Sequence, residues 1–392
     1  MSFSFLGTLP SSKSMFNRAL IAQSFLPEIK IVGQSKADDV SKMKQALADF
    51  ALGKTELDVG QAGTVLRFLA LRVSRKKGKF ILKGSEKLMQ RPHEELERIL
   101  AQLGCQVVRS QTAFEIKSHG WHLHGDGIFI KGDQSSQFAS ALVLSSWLFD
   151  HHLFINLQGS QVSRGYLEMT LQMMKGLGMV VGSTESELHI SPLQCPRAVS
   201  IALEPDMSSS FAIAAFAAVG GQAHFPNFPE KSLQPDAIFP ELLERMGVNV
   251  EKSATGLKVG ATKKLTGSEF FIENCPDTFP VLSALCFLAE GESKIRGGSH
   301  LRFKESDRLS EMANLFERLG RKPVVYEDGL DFSGVSPKAE SVSEFEFDTK
   351  EDHRLAMAAA LLNSQGFRIK IKDKSVVNKS FPEFWDIVGD NI

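Results

Sequence analysis

The chain has 392 residues, with 45 lysines and arginines against 46 aspartates and glutamates and a formal charge of −1. That length exceeds one ordinary core and points to two domains or one large repeat array. The balanced charge excludes the global basic field of a nucleic-acid or membrane-surface binder. No apolar run approaches the roughly 18–20 residues of a membrane span.

The N-terminus, "MSFSFLGTLPSSKS", has no basic stretch followed by an apolar core, so no signal peptide is expected. Cys105, Cys195, Cys275 and Cys286 are scattered without a C-x-x-C pair, and the histidines are dispersed. This spacing argues against zinc and fits reduced thiols in a cytoplasmic protein. "WHLHG" at 121–125 reads as a solvated strand edge rather than a metal site.

In chain order, an apolar helix over 15–25 follows the polar cluster "SSKS". An amphipathic helix over 38–53 ends at Gly53, and a second apolar helix over 64–73 follows "GQAGT". Residues 97–118 read as an amphipathic helix, a stopping glycine, a short strand, a polar turn and a second strand. An apolar helix over 138–149 follows "GDQSSQ", and the helix–glycine–hairpin plan returns over 170–191. The alternation continues with 211–219 after "EPDMSSS", the plan again over 240–260, 279–289 after "CPDT", the plan over 314–334, and 354–362 after "EDHR".

The marker glycines Gly104, Gly178, Gly247 and Gly320 recur about every 70 residues, which suits a supersecondary module rather than a solenoid repeat. The first unit is short: only "KTELDV" separates Gly53 from the next polar cluster, so at least one hairpin strand is missing. Helices apolar on every face belong inside a domain. Their polar leaders are expected N-caps, and six helices packed together could focus their positive ends on an anion.

Cations cluster at these helix mouths: Lys13, Arg18, Arg67, Lys87, Arg91, Lys304, Arg308, Arg354 and Lys379. A cation there is unfavourable unless an anion or a neighbouring carboxylate compensates it. Arg67, alone within a buried helix, is expected to pair with an acid such as Asp206. In "HLRFKESDRLSEM" (300–312), a helix starting near Glu305 sets Lys304 and Arg308 on one side. Glu305 is either a surface ion pair or a proton-transfer carboxyl. Asp277 is either a plain N-cap or the second acid.

The blocks "LPSSKSMFNRAL", "GQAGTVLR", "QRP", "SSQF", "SRGY", "EPDMSSSF", "PDT", "RFKESDR", "DHRLAM" and "NKSFPEFW" occur in this order. Together they resemble, from end to end, the 5-enolpyruvylshikimate-3-phosphate synthase family of enolpyruvyl transferases. The resemblance implies a two-domain, inside-out α/β fold of βαβαββ units. Domain one is then 10–203, the shikimate-3-phosphate side. Domain two is 204–392 plus 1–9, the phosphoenolpyruvate side, with the active site in the cleft between them.

The implied reaction moves the enolpyruvyl group of phosphoenolpyruvate to the 5-hydroxyl of shikimate-3-phosphate and releases phosphate, with neither cofactor nor metal. Matching positions assign shikimate-3-phosphate to Lys13, Ser14, Arg18, Ser135, Ser136, Gln137, Ser163, Tyr166, Asp277 and Lys304. They assign phosphoenolpyruvate to Lys13, Gly63, Thr64, Arg91, Gln137, Arg308, Arg354 and Lys379. Lys13, Asp277 and Glu305 are the implied proton-transfer groups. The resemblance also implies a monomer that closes on its ligands and has no nucleic-acid or membrane partner.

This chain departs from the family pattern at Ser11, Gln61, Lys87 and His300, and at the shortened first unit. Two other readings stand beside this one. The first is a UDP-N-acetylglucosamine enolpyruvyl transferase, against which the loop "GSEKLMQRP" offers no cysteine. The second is a relative that binds but does not turn over.

Overall fold

The computed structural model describes residues 2–389 apart from 124, 126 and 198. The six apolar stretches fold as the helices Lys13–Gln23, Gly63–Ser74, Gln137–Ser145, Met207–Gly220, Phe279–Leu288 and His353–Asn363. Burial follows directly from their composition. In Met207–Gly220 every residue from Met207 to Ala218 is buried, because no face offers water a polar side chain beyond its first turn.

Residues Ser11–Leu203 form one compact unit, and those before Ser11 with those from Glu204 onward form the other. Each unit has its own hydrophobic core. Within each, four-stranded sheets share one plan: a parallel pair, then an antiparallel hairpin. In Ser11–Leu203 one sheet runs Glu56–Gly60, Lys77–Gly84, Ala113–His119, Gln106–Arg109. The other runs Ile128–Lys131, Leu153–Gln158, Glu187–Ile190, Val181–Ser183. A buried helix makes the crossover that a parallel pair requires: Gly63–Ser74 in the first sheet, Gln137–Ser145 in the second.

The other unit repeats this arrangement. Phe3–Leu6, Gly221–Phe225, Gly256–Gly260 and Asn249–Ser253 make one sheet; Glu269–Phe271, Ser293–Arg296, Leu330–Phe332 and Val324–Val325 make the second. The four marker glycines all take positive φ, between 77° and 93°, as the residue that stops a helix and feeds a hairpin should.

The short first unit is a two-stranded parallel sheet, Lys30–Val32 against Ser200–Ala202, with no hairpin after the helix Asp38–Ala51. A second short unit was not expected. Among the described residues Phe345–Phe347 pairs only with Ile369–Ile371, and the chain then runs through a 3-10 turn, Lys374–Lys379, into the helix Phe384–Val388.

The polar leaders are N-caps only in part. Ser12, Asp206 and Asp352 accept hydrogen bonds from Met15, Ser209 and Arg354 backbone N–H groups. In the helices Gly63–Ser74, Gln137–Ser145 and Phe279–Leu288 the N-cap residue makes no side-chain cap, although Ser135 Oγ accepts the Gln137 N–H. The "WHLHG" segment is also not a strand edge. The strand ends at His119, and buried Trp121 donates its Nε1–H to Ser74 Oγ at 2.8 Å; residue 124 lies outside the described residues. Among the described residues no group of three or more metal-ligating side chains exists, and no helix is long and apolar enough to cross a membrane.

Candidate active site

In the unit Ser11–Leu203 the functional side chains sit on the first turns of three buried helices and on the loops beside them. Lys13 opens its helix and pairs with Asp39 at 2.9 Å, the Asp39 side chain being 6% exposed. Asp39 lies in the first turn of the next helix, Asp38–Ala51.

One turn after Lys13, Arg18 is 2% exposed. Its guanidinium donates to Thr170 Oγ1 at 2.7 Å, Ser14 O at 2.8 Å and Tyr166 O at 3.1 Å, and lies 5.3 Å from the centre of the Phe68 ring. All of these acceptors are neutral. Burial pulls the Arg18 pKa down to about 10, against a smaller opposing effect of Tyr166, so the group stays cationic at neutral pH. A buried guanidinium whose hydrogen-bond acceptors are neutral keeps its full charge uncompensated by them.

Ser163 precedes the helix Arg164–Gly176 in the left-handed region at φ 56°. A non-glycine residue there stores strain, and its buried Oγ makes no hydrogen bond.

A second wall is built on the helices Gly63–Ser74 and Gln137–Ser145. Arg67 Nη1 donates to Gln137 Oε1 at 2.8 Å, and Gln137 Nε2 donates to Thr64 Oγ1 at 3.0 Å. Arg67 Nη2 also donates to Pro92 O at 3.2 Å, and Asp206 Oδ1 accepts from the Ser209 N–H at the start of the helix Met207–Gly220. Ser135 and Ser136 are buried at this wall. A Cβ at Gly63 would lie 2.9 Å from Arg91 Nη1, so a larger residue there would displace that guanidinium.

In the other unit the sequence-predicted groups converge on Arg308. Its guanidinium donates to Asp352 Oδ2 at 2.9 Å, Asp277 Oδ1 at 2.9 Å and Glu305 Oε2 at 3.2 Å. Lys379 Nζ donates to the other Glu305 oxygen at 3.0 Å, and Arg354 Nη2 to Asp277 Oδ2 at 3.3 Å.

Burial alone would raise the Asp277 carboxyl. The charges of Arg354, Arg308 and Lys304 overcome it and hold Asp277 far below the usual carboxylate range. Burial likewise opposes the charge on Arg308, and Asp352, Asp277 and Glu305 reverse that into a raised pKa. Asp236, buried and accepting from Ser208 Oγ, moves the other way: burial and then the Asp277 charge push its pKa up. Asp277 is thus no N-cap. It precedes the helix Phe279–Leu288 in a 3-10 turn, with both oxygens on arginines.

One local expectation is corrected. Lys304 and Arg308 do not share a helix, because the helix begins only at Arg308, where Asp307 caps Ser310 N–H. Lys304 ends the preceding 3-10 turn, Ser299–Phe303. Its charge still reaches Asp277 and, after the effect of burial, helps depress His300 to about 3.

Sequence reasoning missed the counter-ions. Asp39 and Asp352 were visible only as helix-leader acids in "DD" and "EDHR", and nothing in their spacing marked them as partners of Lys13 and Arg308. Thr170, the acceptor for Arg18, read simply as part of an amphipathic helix.

Solved structures share this architecture. EPSP synthase from Acinetobacter baumannii superposes with a TM-score of 0.74 at 21% identity, covering 98% of this chain and 95% of that one. The enolpyruvyl transferase NikO from Streptomyces tendae gives 0.71 at 15% identity, covering 99% and 94%. The fold is therefore the two-domain, inside-out α/β fold of the enolpyruvyl transferases.

Within that class, the family model for EPSP synthase (3-phosphoshikimate 1-carboxyvinyltransferase) matches residues 29–388, and the chain belongs to that family. Relatives named 3-phosphoshikimate 1-carboxyvinyltransferase from Vibrio campbellii and Colwellia psychrerythraea are each 29% identical over 407 residues. Both alignments cover 96% of this chain and 94% of the relative.

Proposed function

We propose that this protein transfers the enolpyruvyl group of phosphoenolpyruvate to the 5-hydroxyl of shikimate-3-phosphate and releases phosphate. The observation that carries this reading is Arg18, a buried guanidinium with neutral hydrogen-bond partners. It is the natural seat of the shikimate phosphate, with Ser14, Ser135, Ser136, Gln137, Ser163 and Tyr166 completing that subsite. Lys13 from this unit, and Asp277 and Lys304 from the other, meet the ring hydroxyls.

Phosphoenolpyruvate falls to Lys13, Arg91, Gln137, Arg308, Arg354 and Lys379, with Gly63 and Thr64 supplying backbone. Guanidinium forks suit its carboxylate and phosphate oxygens. The unit containing Ser11–Leu203 thus serves mainly shikimate-3-phosphate and the other mainly phosphoenolpyruvate.

The chemistry is addition followed by elimination. Proton transfer to the enol methylene makes C2 electrophilic, and the 5-hydroxyl adds there as its proton is removed. Loss of the methyl proton then expels phosphate from the tetrahedral intermediate. Glu305, Asp277 and Lys13 are the proton carriers, and the flanking cations stabilise charge on the departing phosphate. Glu305 sits between Arg308 and Lys379, so its proton affinity responds to whatever anion those cations hold.

We also infer a cytoplasmic monomer whose units draw together on ligand, because the residues assigned to each substrate are divided between them. Small-angle scattering with and without both substrates checks this; an unchanged radius of gyration counts against it.

The direct test mixes protein, phosphoenolpyruvate and shikimate-3-phosphate and follows phosphate release. Release only with UDP-N-acetylglucosamine overturns the assignment, and release with neither acceptor favours a silent relative. The cysteines do not favour that rival: Cys105 is buried beyond the helix Glu94–Gln102, and burial raises its thiol pKa.

A further inference from the structure

We propose that Arg67 is a positioning residue that turns the Gln137 and Ser135 side chains into obligate hydrogen-bond donors, so that their wall accepts ligand oxygens bearing only lone pairs. The inference rests on those two residues facing substrate, as assigned above.

A guanidinium carries donors and no acceptor. Arg67 is 3% exposed, and its charge lies 4.8 Å from the centre of the Phe138 ring, so it has little freedom to turn away. Its Nη1 meets Gln137 Oε1 at 2.8 Å. That contact fixes the carboxamide, because the flipped amide would set N–H against N–H. Gln137 Nε2 therefore points the other way, giving one hydrogen to Thr64 Oγ1 at 3.0 Å and keeping the second for a ligand.

Ser135 is set by the same logic. Its Oγ accepts from the Gln137 backbone N–H at 3.2 Å and, at the long limit of 3.5 Å, from Arg67 Nη1. With both lone pairs engaged, its hydroxyl hydrogen is the remaining valence. The third Arg67 contact, Nη2 to Pro92 O at 3.2 Å, ties down the strap that carries Arg91. One buried cation thus orients an amide, a hydroxyl and the backbone next to an arginine. Phosphate and carboxylate oxygens, which only accept, suit such a wall.

The test uses 15N-labelled protein with Arg67→Met and Arg67→Lys, each first checked by circular dichroism. We expect the Gln137 side-chain amide pair to give a distinct, slowly rotating NMR signature that Arg67→Met collapses and Arg67→Lys retains. Arg67→Met should raise KM for phosphoenolpyruvate or shikimate-3-phosphate roughly 10- to 100-fold, as loss of a charge-supported hydrogen-bond array does. Arg67→Met/Gln137→Met should lose clearly less than the product of the two single losses, because part of the Arg67 effect passes through Gln137.

An unchanged Gln137 amide signature in Arg67→Met, or losses that multiply in the double variant, overturns the proposal. If Arg67→Met moves the amide signature while Gln137→Met leaves both KM values unchanged, the positioning role stands and the assignment of Gln137 to substrate fails.

Discussion

Consider Lys13→Met. From the sequence alone the ammonium is dispensable to packing, so the variant should fold normally and turn over nothing. The ion pair with Asp39 changes the first half of that expectation. Methionine leaves the Asp39 carboxylate 6% exposed with its cation gone. Removing one partner of a fully buried pair costs about 3–5 kcal/mol. The Lys13 side chain is itself 15% exposed, so water screens part of that, and about 2 kcal/mol is the reasonable figure.

For a unit of roughly 150–250 residues, that shifts Tm down by about 4–8 °C. Turnover should fall further than stability, by about 100- to 1,000-fold, the usual effect of deleting a group that stabilises developing charge. The informative control is Lys13→Met/Asp39→Asn, which removes the orphaned charge. Scanning calorimetry should show most of the lost Tm restored while phosphate release stays abolished. If the double variant recovers turnover, Lys13 serves only to neutralise Asp39. If Lys13→Met leaves Tm unmoved, the energetic reasoning about the pair is wrong.

Three further outcomes follow from the same geometry. Asp352 is fully buried and accepts from Arg308, Ser306 and the Arg354 backbone; Asp352→Asn sets an amide N–H against one of these donors and should cost about 3 kcal/mol in urea unfolding, with KM for phosphoenolpyruvate raised. His93 donates its Nε2–H to Leu88 O at 2.8 Å and is held at about 3, first by burial and then by the Arg67 charge. The unfolded chain takes up a proton near pH 6.5 that folded His93 refuses, so its contribution to stability is full above pH 6.5 and falls by about 1.4 kcal/mol per unit below it; His93→Gln should remove that share of the slope between pH 6.5 and 5, leaving the equal share of His300. Phe287 is buried, lying 5.0 Å from Phe316 in near-parallel stacking and edge-on to Phe367; Phe287→Ala should cost about 3–5 kcal/mol by chemical denaturation.

The legible part of the molecule was its periodic part. Six helices apolar on every face and four helix–glycine–hairpin modules appear where the hydrophobic pattern placed them, because burial of a helix is decided by its own composition. The shortened first unit was visible as a deficit of residues after Gly53; the shortened last one was not, since a 3-10 turn and a terminal helix occupy the length a hairpin would need. The cations at the helix mouths were visible as residue types. Their partners were not, and the supposed helix through Lys304 failed because the Asp307 cap starts the helix later than side-chain spacing suggested.

Composition and pattern by themselves determined that this chain is built from repeated modules around buried helices with cations near their N-termini; its division into two domains came from the family resemblance. Tertiary structure alone decided how each cation is compensated. Arg308 meets acids separated from it by as many as 44 positions, Lys13 meets one 26 positions away, and Arg18 meets a threonine 152 positions away. Electrostatic energy depends on distance in space and on local burial, and neither quantity is written in sequence separation. For that reason two arginines of equal charge end differently: Arg308 is met by three carboxylates, whereas Arg18 donates to neutral oxygens.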